Sequence, residues 1–296
     1  MIASWLWVVF TVIAAVGQTA RNAMQRELTR VVGTVGATLV RFLFGLPFGL
    51  LFLAGIVYGF GIPLPAPNRA FLAWDALGAV TQIVGTALML LAMNERSFVV
   101  ATAYLKTEPV LVALFGFVFL GDRLTAQSAF AIFVATAGVM MMSWMKGAAA
   151  SLRPLLFGVG AAALFGVSAV GFRGAILSLD AQSFVIAATF SLAVGLLIQT
   201  TLLCAYLLLF DRRSLVAILR EWRPSLFAGF TGAAGSQFWF LAFALTSAAN
   251  VRTLALIEVL FAQVISRRIF DQKSTLREIA GIVLVVAGIA FLLWTH

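Results

Sequence analysis

Two glutamates and a lysine lie inside apolar stretches of the sequence, where charged side chains are rare. Lys106 and Glu108 interrupt the stretch 98–120, and Glu258 interrupts the stretch 250–269. An ionisable group at the centre of a membrane helix costs roughly 2.5–3.5 kcal/mol, so its presence calls for an explanation. Residues two apart on a regular helix face nearly opposite sides, so the lysine should not pair with its neighbour. We predict that both glutamates face a central cavity; the alternative is a structural ion pair with a cation of another helix.

The layout around these charges occurs twice, 150 residues apart. At this offset Glu108 aligns with Glu258, and in each copy a charged turn and then a glycine follow the glutamate. Other identities keep the same register: Ser97/Ser247, Thr81/Thr231, Gly85/Gly235 and Gly138/Gly288. Such self-similarity at one fixed offset predicts a module written twice, over residues 1–146 and 154–296.

Composition places the protein in lipid. Of its 296 residues 62% are apolar and only 10% are charged, and the mean hydropathy is +1.07, too apolar for a soluble chain of this length. The formal charge of +9 lies in short breaks between apolar stretches, which argues against a nucleic-acid partner. The only histidine is His296 and the only cysteine is Cys204. We therefore expect no disulfide framework, no metal site and no cofactor.

The chain divides into ten apolar stretches, most of which approach the ~20 residues that a helix needs to cross ~30 Å of hydrocarbon. They are 3–23, 34–59, 70–93, 98–120, 125–145, 154–178, 183–210, 222–246, 250–269 and 275–295. The longest polar breaks are expected at Arg26–Thr34, Pro63–Arg69 and Asp211–Arg223. Five helices in each copy leave the second copy upside down in the membrane. We predict an all-α integral membrane protein whose ten transmembrane helices form two inverted five-helix repeats.

The basic residues of the breaks indicate the orientation. Breaks after odd-numbered helices hold thirteen lysines and arginines, and breaks after even-numbered helices hold only Arg69 and Arg123. Since cytoplasmic loops are enriched in basic residues, we predict that the odd breaks lie in the cytoplasm and both termini lie outside. The predicted location is the inner (plasma) membrane. Arg173 and Arg252 lie closer to helix ends, and we expect them to extend towards the membrane surface.

Pro109 directly follows Glu108 and is the predicted hinge. Proline has no backbone N–H, so the carbonyl of Leu105 loses its usual helical partner and the helix is expected to kink beside the charges. Freed backbone groups at membrane depth are tolerated where they line a cavity or meet another helix.

Further polar side chains could hydrogen-bond either a substrate or a neighbouring helix. Gln18 and Asn22 are four residues apart and share a helix face, and Tyr104 lies four residues before Glu108 on the same face. Interhelical contact is the commoner use of such residues. The complete set of candidates for substrate binding or coupling is Glu108, Glu258, Tyr104, Lys106, Arg41, Gln18, Asn22, Gln82 and Gln237.

The motifs of the first copy resemble the EamA-type branch of the drug/metabolite transporter superfamily. Pro109 and Leu120-Gly121-Asp122-Arg123 match the proline and the leucine-glycine-acid-basic phrase of that family, and Arg41-Phe42 resembles its arginine in the second helix. The second copy departs, because Val259 replaces the proline and Asp271-Gln272-Lys273 replaces the charged turn. The resemblance covers essentially the whole chain and implies a transporter of amino acids or other small metabolites, usually exported.

A secondary transporter is therefore the function that the sequence favours. No phosphate-binding loop is present in the sequence, which argues against ATP-driven transport by this chain alone. A membrane-embedded enzyme would need clustered catalytic groups, and a channel or receptor would need polar stripes along several helices. Because burial disfavours the charged form of a carboxyl group, we also consider proton coupling, with one glutamate protonatable and the other ion-paired. The expected partners are a small-molecule substrate, the lipid bilayer and protons.

Overall fold

The computed structural model describes residues 5–95, 104–143, 152–220, 222–260 and 275–294, and every regular element in these segments is a helix. The helices, in chain order, are α1 (Leu6–Leu43), α2 (Leu46–Phe60), α3 (Arg69–Glu95), α4 (Glu108–Phe115), α5 (Ala126–Ser143), α6 (Leu152–Leu177), α7 (Phe184–Phe210), α8 (Arg212–Arg220), α9 (Trp222–Leu245), α10 (Ala248–Leu254) and α11 (Leu276–Trp294). A π-helical turn, Gly116–Leu120, continues α4, and a 3-10 turn, Ala255–Ile257, continues α10.

Several helices have the length and composition of membrane-spanning segments, as the hydropathy of the sequence predicts. Among the described residues, six stretches qualify: Glu27–Phe60, Arg69–Glu95, Arg153–Leu177, Phe184–Phe210, Ser225–Leu245 and Leu276–Trp294. Leu6–Gln18, Glu108–Leu120 and Ala126–Met142 are apolar but shorter. The protein is thus an all-helical, multi-pass membrane protein over the part that the structure describes, and its ten crossings stay a prediction.

The prediction of a polar break between helices at Arg26–Thr34 is wrong. The helix α1 continues through it, and only Gly33 leaves the helical conformation, with φ 71° and ψ 174°. That backbone region is essentially restricted to glycine, so one residue suffices to separate the two parts of α1. The sequence misled because arginine, glutamate and threonine are compatible with a helix that extends beyond the lipid.

The expected break Asp211–Arg223 also contains a helix, α8. Asp211 caps its N-terminus, accepting hydrogen bonds from the Ser214 amide at 3.2 Å and the Ser214 hydroxyl at 2.5 Å. Ile218 is fully buried against α1, whereas Arg212 and Arg220 are exposed. This amphipathic helix has the character of one that lies along a membrane surface.

Pro109 does not kink a continuous helix; instead it lies in the first turn of α4. Lys106 and Thr107 form a turn that precedes this helix, with the Thr107 amide donating to the carbonyl of Tyr104 at 3.3 Å. The first turn of a helix needs no proline N–H, so the residue is tolerated there without the loss of a hydrogen bond. The predicted kink is therefore a break at Lys106 and Thr107, two to three residues before the proline.

Helices at equivalent positions of the two copies make equivalent contacts. The third helix of the first copy, α3, packs along α6, which begins the second copy, and α9, the third helix of the second copy, packs along α1. The last helices of the copies, α5 and α11, pack against each other. Their repeat-related glycines allow this close approach, since a Cβ on Gly138 would lie 2.7 Å from the carbonyl oxygen of Gly281, and one on Gly288 would lie 2.6 Å from the nitrogen of Ala135.

Candidate functional site

Two buried ion pairs cross between the copies. Lys106 of the first copy pairs with Glu258 of the second through Nζ and Oε1. In return, Nε of Arg252 in the second copy lies 3.0 Å from Oε1 of Glu108 in the first. All four side chains are only 9–12% exposed. The prediction that Lys106 and Glu108 do not pair with each other is consistent with this arrangement, and each glutamate instead holds a cation of the opposite copy.

Matching helix breaks position the two glutamates. In the first copy the turn at Lys106 and Thr107 ends immediately before Glu108, which then starts α4. In the second copy the 3-10 turn Ala255–Ile257 ends immediately before Glu258. A carboxylate in the first turn of a helix is stabilised by the unpaired amides and the dipole of that turn. On a regular helix Phe261 and Ala262 would share a face with Glu258, but both residues lie outside the described segments.

Arg252 is enclosed by aromatic rings. Its guanidinium carbon lies 4.3 Å from the ring centroid of Trp239 and 5.4 Å from that of Phe243. The expectation that this arginine extends to the membrane surface is wrong, because cation–π contacts and the carboxylate of Glu108 hold it inside the protein. The Nε–Oε1 contact is not an aligned hydrogen bond, since neither atom has a hydrogen-bond partner among the described residues. Nε of Arg252 can therefore still donate a hydrogen bond, and Oε1 of Glu108 can still accept one.

Two further arginines adjoin the crossed pairs. Arg21 and Arg41 are 3% and 4% exposed, and both side chains lie against Gly232 of α9. Arg41 Nη1 donates to Thr86 Oγ1 at 3.4 Å, and Arg21 Nη2 donates to Asn22 Oδ1 at 2.9 Å. Within the described segments Nε and Nη1 of Arg21 have no acceptor. Buried arginine donors without a partner are costly, so a site for an anion is a reasonable explanation of their retention.

We call Arg21, Arg41, Lys106, Glu108, Arg252 and Glu258 the charge cluster. Electrostatic interactions link Arg21 with Arg252 and Glu108, and Arg41 with Arg21 and Arg252. When all six groups are ionised, the cations outnumber the acids by two. The cluster therefore favours a ligand that carries a negative charge. Arg21 was missed in the sequence because it lies at the end of an apolar stretch, where an arginine usually reaches the surface.

The predicted glutamine and asparagine candidates take part in contacts between or within helices. Gln82 accepts a hydrogen bond from Gln199 of α7 at 2.8 Å, and Gln237 donates to Thr189 at 2.8 Å. Asn22 accepts from the neighbouring Arg21, and Gln18 is partly buried where α1 meets α9. These contacts match the interhelical alternative, and a role of these residues in substrate binding stays a prediction.

Tyr104 packs against α6. A Cβ placed on Gly158 of α6 would lie 2.5 Å from Cβ and 2.9 Å from Cδ2 of the tyrosine. The turn between Tyr104 and Glu108 also interrupts the regular helix on which a shared face was expected. The periodicity argument for this residue consequently does not hold, since a face repeats every four residues only in an unbroken helix.

A second network of polar contacts lies near the C-terminus of α6, around Arg173. Arg173 Nη1 donates to the carbonyls of Phe243 and Thr246 at the end of α9, and Nη2 contacts Asp122 Oδ1 at 3.5 Å. The turn that carries Asp122 begins at Gly121, whose φ of 65° is favourable for glycine. Arg173 therefore ties α6, α9 and the turn after α4 together, contrary to the expectation that it extends to the surface.

Asp75 is a buried acid that the sequence analysis missed. It is 0% exposed, and its Oδ1 accepts a hydrogen bond from Ser191 Oγ at 2.7 Å. No donor among the described residues reaches its Oδ2. The signal was present, since Asp75 is the only charged residue within the apolar stretch 70–93, but it lies near the end of that stretch.

A cavity of about 700 Å³ lies between α4 and α5, outside the charge cluster. Its lining is mostly apolar, with Thr107, Thr136 and Arg277 as the polar exceptions. Phe133 in this lining is 67% exposed, so the cavity is a groove on the outside of the helix bundle. The described residues contain no group of three or more histidine, cysteine, aspartate or glutamate side chains that could hold a metal ion.

Comparison with known proteins identifies what the chain resembles as a whole. The model of the EamA-like transporter family matches twice, over residues 5–144 and 152–294. No curated protein matches the sequence. One crystal structure, described only as that of a protein, has a TM-score of 0.69 and 14% sequence identity, and the match covers 99% of this chain and 96% of that chain. At this identity the structural likeness concerns the fold alone.

Proposed function

Because this chain belongs to the EamA-like transporter family, we propose that it is a secondary transporter of a small metabolite with a carboxylate, such as an amino acid. The charge cluster is its binding site in this proposal. The crossed ion pairs are the observation that carries it, since they join the two copies and lie well inside the bundle.

Buried ion pairs are a weak source of stability, because removing two charges from water costs several kcal/mol per ion. Their retention in the interior of a membrane protein therefore favours a functional role. A zwitterionic amino acid carries the same two charges as each pair. Its carboxylate can replace a glutamate beside Arg252 or accept from the free donors of Arg21, and its ammonium can replace Lys106 or Arg252 beside a glutamate. Exchange of partners then keeps both glutamates and the two cations that they hold, Lys106 and Arg252, paired with an opposite charge.

Aromatic groups complete the proposed site. Trp239 is 3% exposed, and its indole N–H finds no acceptor within the described segments. This donor lies on the ring that covers the Arg252 guanidinium. A substrate carboxylate at Arg252 would supply the missing acceptor, so Trp239 joins the arginine as a proposed binding residue.

Transport would follow from the twofold organisation of the chain. In the proposed architecture the segments 1–146 and 154–296 are inverted five-helix repeats, with ten crossings in all and a site near the midplane. The helix breaks before Glu108 and Glu258 would allow each copy to move about the site, with Pro109 as the hinge of the first. The equivalent packing of α3 on α6 and of α9 on α1 supports this symmetry.

The proposed orientation follows the basic residues, with the odd breaks in the cytoplasm, both termini outside, and the plasma membrane as the location. Arg173 and Asp122 would then lie near the outer surface and hold the outer side closed. Single cysteines introduced at Arg213 and at Gln182 test this orientation. In intact cells an impermeant thiol reagent should label only the cysteine at position 182; the reverse pattern would show the opposite orientation.

Transport itself is tested with the full chain reconstituted in proteoliposomes. Vesicles are loaded with an equimolar mixture of the common amino acids and small carboxylic acids, and efflux of each compound is followed by mass spectrometry. We expect saturable, accelerated exchange of compounds with a carboxylate and none of the matched amines. Arg252→Gln should abolish it, and Glu27→Gln, which removes an exposed acid, should leave it unchanged.

The other outcomes separate the alternatives. Flux without counterflow would indicate a channel, and chemically altered products would indicate an enzyme. We also propose that the physiological direction of transport is export. Accumulation of the compound by everted vesicles under an imposed gradient would support this direction. Exchange that is equally fast in Arg252→Gln would remove the charge cluster from the site.

A further inference from the structure

We propose that Asp75 is a proton-binding site whose protonation and deprotonation drive the transport cycle, an inference that rests on the proposed function. Its carboxyl group is completely buried, accepts one hydrogen bond from Ser191, and leaves Oδ2 without a donor among the described residues. The site lies on α3 and α7, apart from the charge cluster.

Among the described residues, no cation forms an ion pair with Asp75. Phe172 of α6 and Gly195 of α7 flank it: a Cβ on Gly195 would lie 3.0 Å from the phenylalanine ring and 3.5 Å from Asp75 Oδ2. Arg173, the next residue along α6, is directed to Asp122 and to the carbonyls at the end of α9.

The described parts of the other elements packed against α3 also offer Asp75 no counter-ion. On α7 the polar neighbours Ser191 and Gln199 are uncharged, and Arg41 of α1 bonds Thr86, eleven residues or about 16 Å further along α3. Three other acids with largely buried side chains differ, since Glu108, Glu258 and Asp122 each contact a cation.

An unpaired carboxylate in this environment is strongly disfavoured, so the neutral acid is the form compatible with the structure. One carboxylate and one hydroxyl offer few of the six or more oxygens that hard metal cations prefer, which favours a proton over a metal cation. The reaction is a simple transfer: the carboxylate takes H⁺ from water on one side, and the acid releases it to water on the other.

Two aromatic rings lie between Asp75 and the nearer end of α3. Phe71 lies one helical turn before Asp75 on α3, and its ring centroid is 5.5 Å from that of Phe190, the neighbour of Ser191. A pocket of about 310 Å³ lies between the loop after α2 and the loop after α6, with Asp180 in its lining. Asp75 is about 9 Å along α3 from Arg69, at the end where these loops meet. Movement of the phenylalanine pair would connect the acid with this pocket.

Infrared spectroscopy of the reconstituted full chain tests the protonation directly. In sodium-free buffer, the carbonyl stretch of a buried carboxylic acid should be present at neutral pH and disappear on alkaline titration. It should be absent in Asp75→Asn and unchanged in Glu27→Gln. Ser191→Ala should retain the band, because the hydroxyl group is a hydrogen-bond partner of the acid and not the group that carries the proton. A spectrum of Asp75→Asn identical to that of the parent would overturn the assignment.

The coupling is tested with a compound that the parent transports. Without a gradient, Asp75→Asn should exchange this compound at near the parental rate. An imposed pH gradient should accelerate transport by the variant at least tenfold less than it accelerates transport by the parent. If the variant responds to the gradient as the parent does, the coupling role is excluded. A sodium gradient that accelerates the parent in place of the pH gradient would also overturn the proposal. Absence of transport by the parent would refute the proposed function, whereas the infrared band would still report on proton binding.

Discussion

Removal of one partner of the Arg252–Glu108 pair should destabilise the protein more than removal of both. At the Nε–Oε1 distance of 3.0 Å, the attraction is about 5–6 kcal/mol with an effective dielectric constant of about 20. Desolvation of the two ions offsets most of this gain, so the intact pair contributes little net stability. Breaking it by removing one partner leaves a buried charge without compensation, which costs about 3–5 kcal/mol.

The aromatic enclosure makes the two single variants unequal. In Glu108→Gln, Arg252 keeps its contacts with Trp239 and Phe243, so the loss should lie near about 3 kcal/mol. In Arg252→Gln the carboxylate of Glu108 loses its ion pair and keeps only the longer-range attraction of Lys106 and Arg21. The contacts of the arginine with the aromatic rings are lost as well, so the loss should be about 5 kcal/mol.

The double variant Glu108→Gln/Arg252→Gln should be more stable than either single variant, because neither member of the pair is left as a buried charge without its partner. The free energy of unfolding, measured by titration with SDS in mixed micelles, provides the comparison. Glu27→Gln breaks a pair with side chains 63–72% exposed and should cost no more than about 1 kcal/mol. If the double variant loses the sum of the two single losses, the residues are not coupled and the ion-pair argument is refuted.

Three other perturbations address the hinge, the helix packing and the surface helix. Pro109→Ala should slow exchange more than it weakens substrate binding, and unchanged exchange would remove the hinge role. Gly288→Ala should cost about 1–3 kcal/mol in the same unfolding assay, since the backbone of α5 lies 2.6 Å from the new methyl group, whereas Gly55→Ala, with open space around it, should be near neutral. Hydrogen bonds from Ser214 lower the pKa of Asp211. The cap that the Asp211 carboxylate forms on α8 is therefore complete above the ordinary aspartate pKa of about 4, and it is lost only as the pH falls through the lowered pKa of Asp211. Amide hydrogen exchange of α8 should therefore stay slow down to about pH 4, and it should be faster in Asp211→Ala wherever the carboxylate of the parent is ionised.

Local properties of the sequence were sufficient for the class of the protein and for most of its helices. A helix that crosses lipid needs a long apolar stretch, and this property is visible without any knowledge of its neighbours. The repeat offset of 150 residues also identified Glu108 and Glu258 as equivalent acids. Where the chain leaves the lipid this signal weakens, which is why α8 and the helical part of Arg26–Thr34 were expected as loops.

The partners of the buried charges were decided only by the tertiary structure. Lys106 and Glu258 are 152 residues apart, and the choice between Lys106 and Arg252 for each glutamate depends on how α4 and α10 are placed. In a membrane protein the faces towards lipid and towards other helices are both apolar, so the hydrophobic pattern does not specify which helices meet or in which rotation. For the same reason the burial of Asp75 and its contact with Ser191 followed from helix packing and not from the sequence pattern.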